Sequence, residues 1–227
     1  MLFNRILTGL GLGSMALTVV WAAGHFDDQV RADFFSGFAG NRAALERAMT
    51  SAEDAIAHDP KYAAEAMSWH GAGLLFMAGE KFQSGDVSAG GELWDRATQE
   101  MDEAGSHEPD NIAVLIPRAA AWFAASRAAP ADMGAPLLNK ALADYEHVYQ
   151  LQKGYFDKLS VHMRSELMFG LADGYARSGD TEKARSWFEK LAALGPESGH
   201  SVQARDYLNT GKYHVEGIGC AGCHTGK

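Results

Sequence analysis

The chain has 227 residues, and its 29 acidic side chains outnumber its 20 basic ones, which gives a formal net charge of -9. An acidic surface of this kind argues against binding of nucleic acid and favours basic or neutral partners. Both cysteines lie within the last eight residues, which excludes a lipid anchor on an N-terminal cysteine. The sequence has neither a phosphate-binding glycine loop nor a nucleophile elbow, so it gives no indication of hydrolytic or transferase chemistry.

The first predicted element is an export signal in residues 1–23. Arg5 is the only charged side chain before an uncharged run over residues 6–23, and the small residues up to Ala22 are typical of a cleavage site. The same run reaches the lower limit of a membrane-spanning helix, so an uncleaved anchor is the alternative. Because Arg5 favours an N-terminus inside the cytoplasm, both outcomes predict a periplasmic chain. It would be either soluble after cleavage or tethered to the inner membrane.

Residues 24–209 form a predicted helical domain built from repeated segments. Corresponding alanines recur 43 to 49 residues apart, at Ala48, Ala97, Ala141 and Ala184. Prolines expected to stop the second helix of a unit follow at Pro60, Pro109 and Pro196, and Lys153 takes that place in the third unit. The fourth segment is the clearest, with Leu171, Tyr175, Gly179 and Phe188 at small and large positions of a repeat.

This pattern resembles the tetratricopeptide repeat family, whose unit is a pair of antiparallel helices. The resemblance implies an all-α, helical-hairpin solenoid of about four units that docks a protein partner. Met168 and Ala172 stand where the family usually has tryptophan and glycine. The second and third units are longer than the family's unit, and we expect residues 85–91 and 128–136 to be extra length between their two helices.

Large apolar side chains at helical spacing are expected to pack between the units and not to form a binding site. They are Trp69, Leu75, Phe76, Trp94, Trp122, Phe123, Tyr145, Trp187 and Phe188. Residues 198–208 predict a final amphipathic helix that caps the array, because an open last unit would expose its apolar side. The glycine-rich residues 210–227 predict an irregular tail.

The tail carries the motif Cys220-Ala-Gly-Cys223-His224. Cys-x-x-Cys-His is the pattern of covalent c-type haem attachment, in which two thiols bond the vinyl groups and the adjacent imidazole binds the iron. We therefore expect one haem c on Cys220 and Cys223, with His224 as proximal iron ligand. A redox dithiol, a disulfide or half of a zinc site is the alternative. Zinc would need a second ligand pair that the sequence does not offer, and redox dithiols usually begin a helix in a fold with strands.

Three residues follow His224, too few to enclose a haem. Four-helix cytochromes also carry this motif near the C-terminus, but the repeat register fits a solenoid better. We expect the haem to rest on the fourth unit and the cap helix. His214, ten residues before His224, is the tentative distal ligand. Other candidates for that position are His162, Met163, Met168 and His200.

Three functions from different classes follow from these patterns. The first is an exported monohaem c-type cytochrome that transfers electrons, with its repeat array docking a redox partner or a membrane complex. The second is a scaffold without redox function, in which Cys220 and Cys223 form a disulfide. The third is a haem sensor or enzyme with an open axial position, which would bind a small ligand. An electron carrier or scaffold is favoured over an enzyme.

Overall fold

The computed structural model describes residues 26–214, and this part of the chain is helical without strands. Its α-helices are α1 (Asp27–Phe38), α2 (Arg42–His58), α3 (Ala63–Gln83), α4 (Val87–His107), α5 (Ile112–Ala128), α6 (Ala131–Gln152), α7 (Val161–Ser178), α8 (Thr181–Ala193) and α9 (Ser201–Thr210). A short 3₁₀ helix, Phe156–Lys158, precedes α7. The predicted all-α fold is confirmed. The export segment 1–23 and the motif residues Cys220, Cys223 and His224 lie outside the described residues.

Consecutive helices pack as hairpins, α1 with α2, α3 with α4, α5 with α6 and α7 with α8. The hairpins stack because α2 also packs on α3, α6 on α7, and the first helices α1, α3 and α5 pack side by side. The last helix, α9, packs on α8. This arrangement confirms a helical-hairpin solenoid of four units with a C-terminal cap helix.

Short polar side chains begin most of the later helices. Asp86 accepts a hydrogen bond from the amide of Ala89, Asn111 from Ala113 and Asp180 from Lys183. Each bond satisfies an amide that the first helical turn would leave unpaired. The sequence thus marks the starts of α4, α5 and α8 locally.

The repeated alanines lie where helices cross. Ala97, Ala141 and Ala184 are completely buried, and Ala48 is 1% exposed. A methyl side chain lets two helix backbones approach closely, so the repeat spacing reports the packing of the units. Of the large side chains expected in the core, six are buried: Trp69, Leu75, Trp122, Phe123, Tyr145 and Phe188. Phe76, Trp94 and Trp187 are half-buried and pack against it.

Most of the residues expected between the two helices of the second and third units lie within helices, because residues 87–91 begin α4 and residues 131–136 begin α6. The prediction of long insertions there is wrong. Residues 84–86 alone join α3 to α4, and each of these helices is 21 residues long. Asp86 caps the turn, and Gly90 leaves room for Phe82, whose Cδ1 would lie 2.6 Å from a Cβ at that position. In the third unit, Pro136 lies inside α6. The added length extends the helices, and in the second unit the early cap at Asp86 starts α4 before the glycines.

Buried ionic contacts join neighbouring helices. His70 on α3 is completely buried, with Nδ1 2.5 Å from Glu100 Oε2 and Nε2 3.4 Å from Glu53 Oε1. Burial alone would raise the pKa of Glu100, but His70 and Arg96 lower it below its ordinary value. These contacts hold α3, the first helix of the second unit, against α2 and α4.

The third unit has a corresponding contact. Arg118 on α5 donates from Nε and Nη2 to Asp144 on α6, at 2.8 and 2.5 Å, and from Nη1 to the carbonyl oxygen of Met101 at 3.1 Å. Burial raises the pKa of Asp144 despite this pairing. Removing one partner of such a pair destabilises the folded state strongly, since it leaves a buried charge without compensation.

Close packing of α1 on α2 predicts a sensitive glycine. An ideal Cβ at Gly37 would lie 2.7 Å from Leu45 Cβ and 2.9 Å from its Cα, so Gly37→Ala forces the two helices apart. We expect a loss of about 1–3 kcal/mol in the free energy of unfolding, measured by chemical denaturation. The control is Gly91→Ala in α4, where no atom lies within 4 Å and alanine should stabilise by about 0.5–1 kcal/mol. Equal stability of the two variants would contradict the packing described.

Candidate functional site

The described chain ends beside the last unit, at the start of the tail that bears the predicted motif. Gly211 ends α9 with a φ of 70°, a left-handed conformation that glycine adopts without strain. Its amide donates to the carbonyl oxygen of Tyr207 at 2.8 Å, and the amide of Lys212 donates to Thr210 Oγ1 at 3.1 Å. The chain is thus turned back at residues 211–214. We call these residues and their contacts on α5, α7 and α8 the tail root.

Tyr213 is the main contact of the tail root. Its ring lies 5.1 Å from Phe188, 5.8 Å from Tyr207 and 6.1 Å from Phe169, measured between ring centroids. Its hydroxyl donates a hydrogen bond to Asp173 Oδ1. Ring contacts at these separations stabilise the folded state by more than the burial of their apolar area alone would. The start of the tail is therefore packed against the core of the fourth unit through the half-buried Tyr213.

Asp173 on α7 joins the tail to the third unit. It is 1% exposed, and Arg127 on α5 donates to its Oδ2 while Tyr213 donates to its Oδ1. Arg177, one turn further along α7, has Nη1 3.7 Å from Asp173 Oδ2 and donates from Nη2 to Ser126 Oγ at 2.7 Å. One buried carboxylate thus contacts two guanidinium groups and a phenol.

The pKa values of two side chains in the tail root, Tyr213 and Arg177, are shifted from those of the free side chains. Burial, reinforced by the charge and hydrogen bond of Asp173, raises the pKa of Tyr213 far above its ordinary value. Burial and the neighbouring Arg127 lower the pKa of Arg177, although a guanidinium remains charged at neutral pH. The tyrosine therefore stays a hydrogen-bond donor at every physiological pH.

His214 follows the anchored tyrosine directly, and its side chain is exposed. This places the tentative distal ligand at the tail root, free of the core. How it lies relative to Cys220, Cys223 and His224 falls outside the described part of the chain.

The other distal candidates lie in different surroundings. Met168 is 7% exposed and packs in the main core, so it could reach an iron only if the core repacked. His200 stacks on Phe169 with 4.0 Å between ring centroids, and its Nε2 lies 3.0 Å from Glu166 Oε1. His162 and Met163 are exposed at the start of α7. The spacing of these candidates in the sequence could not show which of them are buried and which are exposed.

Four residues of the tail root were not found from the sequence: Arg127, Asp173, Arg177 and Tyr213. Asp173 and Arg177 are spaced one helical turn apart, which is a weak local signal. Arg127 lies 46 positions before Asp173, and Tyr213 lies 40 after it. Contacts at such separations depend on the stacking of units, so no local pattern could have indicated them.

A cleft lies on the other side of α7. This cleft between α6, α7 and α8 has a volume of about 500 Å³ and is lined by Ala143, Glu146, His147, Tyr149, Gln150, Leu171, Tyr175 and Trp187. Trp187 packs edge-on against Tyr149 at 4.8 Å, and the ammonium of Lys190 lies 4.1 Å from the Trp187 ring centre. We call it the α6–α8 cleft.

Within residues 26–214, no group of three or more histidine, cysteine or acidic side chains is arranged to hold a metal ion. None of the helices in the same span combines the length and the apolar character needed to cross a membrane. No protein-family model, curated protein or solved structure matches the chain.

The packing of Tyr213 leads to a stability prediction. Tyr213→Ala removes a ring from the core and should cost about 2–3 kcal/mol in the free energy of unfolding. Tyr213→Phe keeps the ring but removes a donor to buried Asp173, at a cost of about 1 kcal/mol. Chemical denaturation measures both. The exposed Tyr155, replaced in the same two ways, is the control and should change little. If Tyr213→Ala matched Tyr155→Ala, the tail root would not be anchored.

The raised pKa of Tyr213 also predicts a dependence on alkaline pH. The unfolded chain loses the phenolic proton near pH 10, whereas the folded chain keeps it, so this stabilisation is complete below pH 10 and falls above it. The fall should be steeper in the wild type than in Tyr213→Phe, by up to about 1.4 kcal/mol per pH unit. Denaturation at pH 9 and pH 11 tests it, with Tyr155→Phe as the control. Identical slopes in all three proteins would contradict the prediction.

Proposed function

We propose that the chain is an exported monohaem c-type cytochrome whose tetratricopeptide-like array docks a redox partner. The observation that carries this proposal is the motif Cys220-x-x-Cys223-His224, together with the export signal predicted for residues 1–23. The confirmed helical-hairpin solenoid is the architecture that the repeat resemblance implies, and arrays of this kind bind partners along an extended surface. No residue is assigned a catalytic role.

In this proposal the tail residues hold the haem. The thiols of Cys220 and Cys223 each add their sulfur and hydrogen across a vinyl group, which forms a thioether without a net gain or loss of electrons. His224 would bind the iron through one ring nitrogen, and its other ring nitrogen would be a hydrogen-bond donor that fixes the orientation of the ring. His214 is the proposed distal ligand. The bound haem supplies a one-electron couple.

The anchored tail root limits where the haem can act. Seven positions separate Tyr213 from Cys220, and an extended chain of that length spans about 25 Å at most. The haem would therefore stay near the third and fourth units and α9. A redox partner must dock close to this end of the array to exchange electrons.

An apolar macrocycle on the tail would be stabilised by contact with the helical array. Two features of the described surface lie within this reach, the tail root and the α6–α8 cleft. The tail root offers guanidinium donors beside an exposed histidine, and the cleft offers aromatic walls. Guanidinium donors, an exposed histidine and aromatic side chains at this end of the array support the proposal of a haem there.

The net charge indicates the kind of partner surface, and the predicted export segment indicates the compartment. A formal net charge of -9 favours a basic partner surface, which would speed encounter at low salt. Export places the chain in the periplasm, where residues 1–23 are removed or retained as an inner-membrane anchor. The intact mass of the matured protein distinguishes the two forms.

The test is expression of the full chain with export and cytochrome maturation machinery, followed by a pyridine haemochrome spectrum and an intact mass. We expect one covalent haem per chain. Cys220→Ser or Cys223→Ser should leave one thioether, a shifted haemochrome band and a much lower yield. His224→Ala should abolish the low-spin spectrum, whereas His107→Ala, which changes an exposed histidine of α4, should not.

Other outcomes identify the competing functions. A colourless protein with a mass lower by two hydrogens would indicate the scaffold with a Cys220–Cys223 disulfide. A reduced spectrum that shifts with carbon monoxide in the wild type would indicate an open axial position and a sensor. If carbon monoxide binds to His214→Ala alone, His214 is the distal ligand.

A further inference from the structure

The tail root is a local concentration of positive charge in an acidic protein. Arg127 and Arg177 both approach the carboxylate of Asp173, and the exposed Lys212 lies one residue before the anchoring Tyr213. Two guanidinium groups and one carboxylate thus meet here, although acidic side chains outnumber basic ones in the whole chain. Such a place attracts an anionic group.

Hydrogen bonding at the tail root is incomplete. Asp173 accepts from Arg127 and Tyr213, and Ser126 accepts from Arg177 Nη2. Arg177 Nη1 is buried, and Asp173 Oδ2 lies 3.7 Å from it, which is beyond hydrogen-bond distance. The pair therefore has hydrogen-bonding capacity that Asp173 and Ser126 do not use, and the half-exposed Arg127 offers its remaining donors to a carboxylate from solvent.

We propose that Arg127 and Arg177 bind the propionate carboxylates of the haem carried by this chain's own tail. This inference rests on the proposed function, since it requires a haem on Cys220 and Cys223. Guanidinium groups suit the task because their planar donors pair with carboxylates in a fixed geometry. The side chain of Arg127 is 38% exposed and that of Arg177 is 20% exposed, so the pair borders solvent while Asp173 beneath it does not.

The position of the tail favours this occupant. Tyr213 and Arg127 donate to the same carboxylate, that of Asp173. The first residues of the tail therefore lie next to the proposed site. A tail that folds back after His214 needs only part of its reach of about 25 Å to bring the haem there. The same placement keeps His214 beside the haem, as its proposed role as distal ligand requires.

The α6–α8 cleft is the competing seat, and it lies on a different face of α7. Phe169 and Asp173 face the tail root, whereas Leu171 and Tyr175 line the cleft. Two positions along a helix correspond to a rotation of about 200°, so one haem cannot occupy both places. The residues that line the cleft include Glu146 and neither arginine nor lysine, whereas the carboxylate of the tail root is paired with two guanidinium groups.

The first experiment maps the haem in the matured wild-type protein by nuclear magnetic resonance. The side-chain N–H signals of arginine and tryptophan are compared between the paramagnetic ferric and the diamagnetic ferrous forms. We expect the largest shifts and broadening at Arg127 and Arg177, with a smaller effect at Trp187. The largest effect at Trp187 would place the haem in the α6–α8 cleft, and no localised effect would mean a haem without a fixed seat. Either result overturns the inference, whereas failure of the proposed function appears earlier, as a protein without haem.

The second experiment removes a positive charge from the tail root and measures the reduction potential of the haem. Arg127→Gln removes one unit of positive charge about 10 Å from the iron, which should shift the ferrous–ferric equilibrium about tenfold toward the ferric form at an effective dielectric constant of about 20. Arg127→Lys should retain most of the wild-type equilibrium. Arg96→Gln in α4, an exposed arginine paired with Glu100, is the control and should leave it unchanged. Equal reduction potentials for Arg127→Gln and Arg96→Gln would overturn the inference, and thermal unfolding verifies that the variants are folded.

Discussion

The carboxylate of Asp173 is the contact on which the end of this molecule depends. It is buried, so its charge must be compensated, and its two oxygens accept from Arg127 on α5 and Tyr213 in the tail. The third unit, the fourth unit and the start of the tail meet at this one group. Loss of either donor would leave a buried charge partly unpaired, which explains why the tail root is held to the array.

The same physical arrangement recurs along the array. His70 on α3 and Arg118 on α5 are also placed on the first helix of a unit, and each contacts a charged side chain on a neighbouring helix. The contact at Asp173 differs because one of its donors comes from beyond the cap helix. In the proposed cytochrome, the stacking of units and the placing of the haem therefore depend on the same kind of buried pair.

Much of the fold could be predicted because its signals are local or periodic. The alanines at 48, 97, 141 and 184 mark helix crossings, and the structure buries all four. The extra length of the second and third units was misplaced because the glycines of residues 85–91 are typical of a loop. Asp86 caps α4 before them, and Gly90 makes room for Phe82, so tertiary packing outweighed the propensity of glycine to break helices.

The sequence by itself determined the helical class, the repeat period, the cap helix and the Cys220–His224 motif, because each depends on residues close together in the chain. Only the tertiary structure decided that Met168 is packed in the core while His214 is exposed, and that Arg127, Asp173 and Tyr213 meet. These three residues are 40 and 46 positions apart along the chain. They come together through the crossing of helices from different units, and that geometry is set by the packing of many side chains at once.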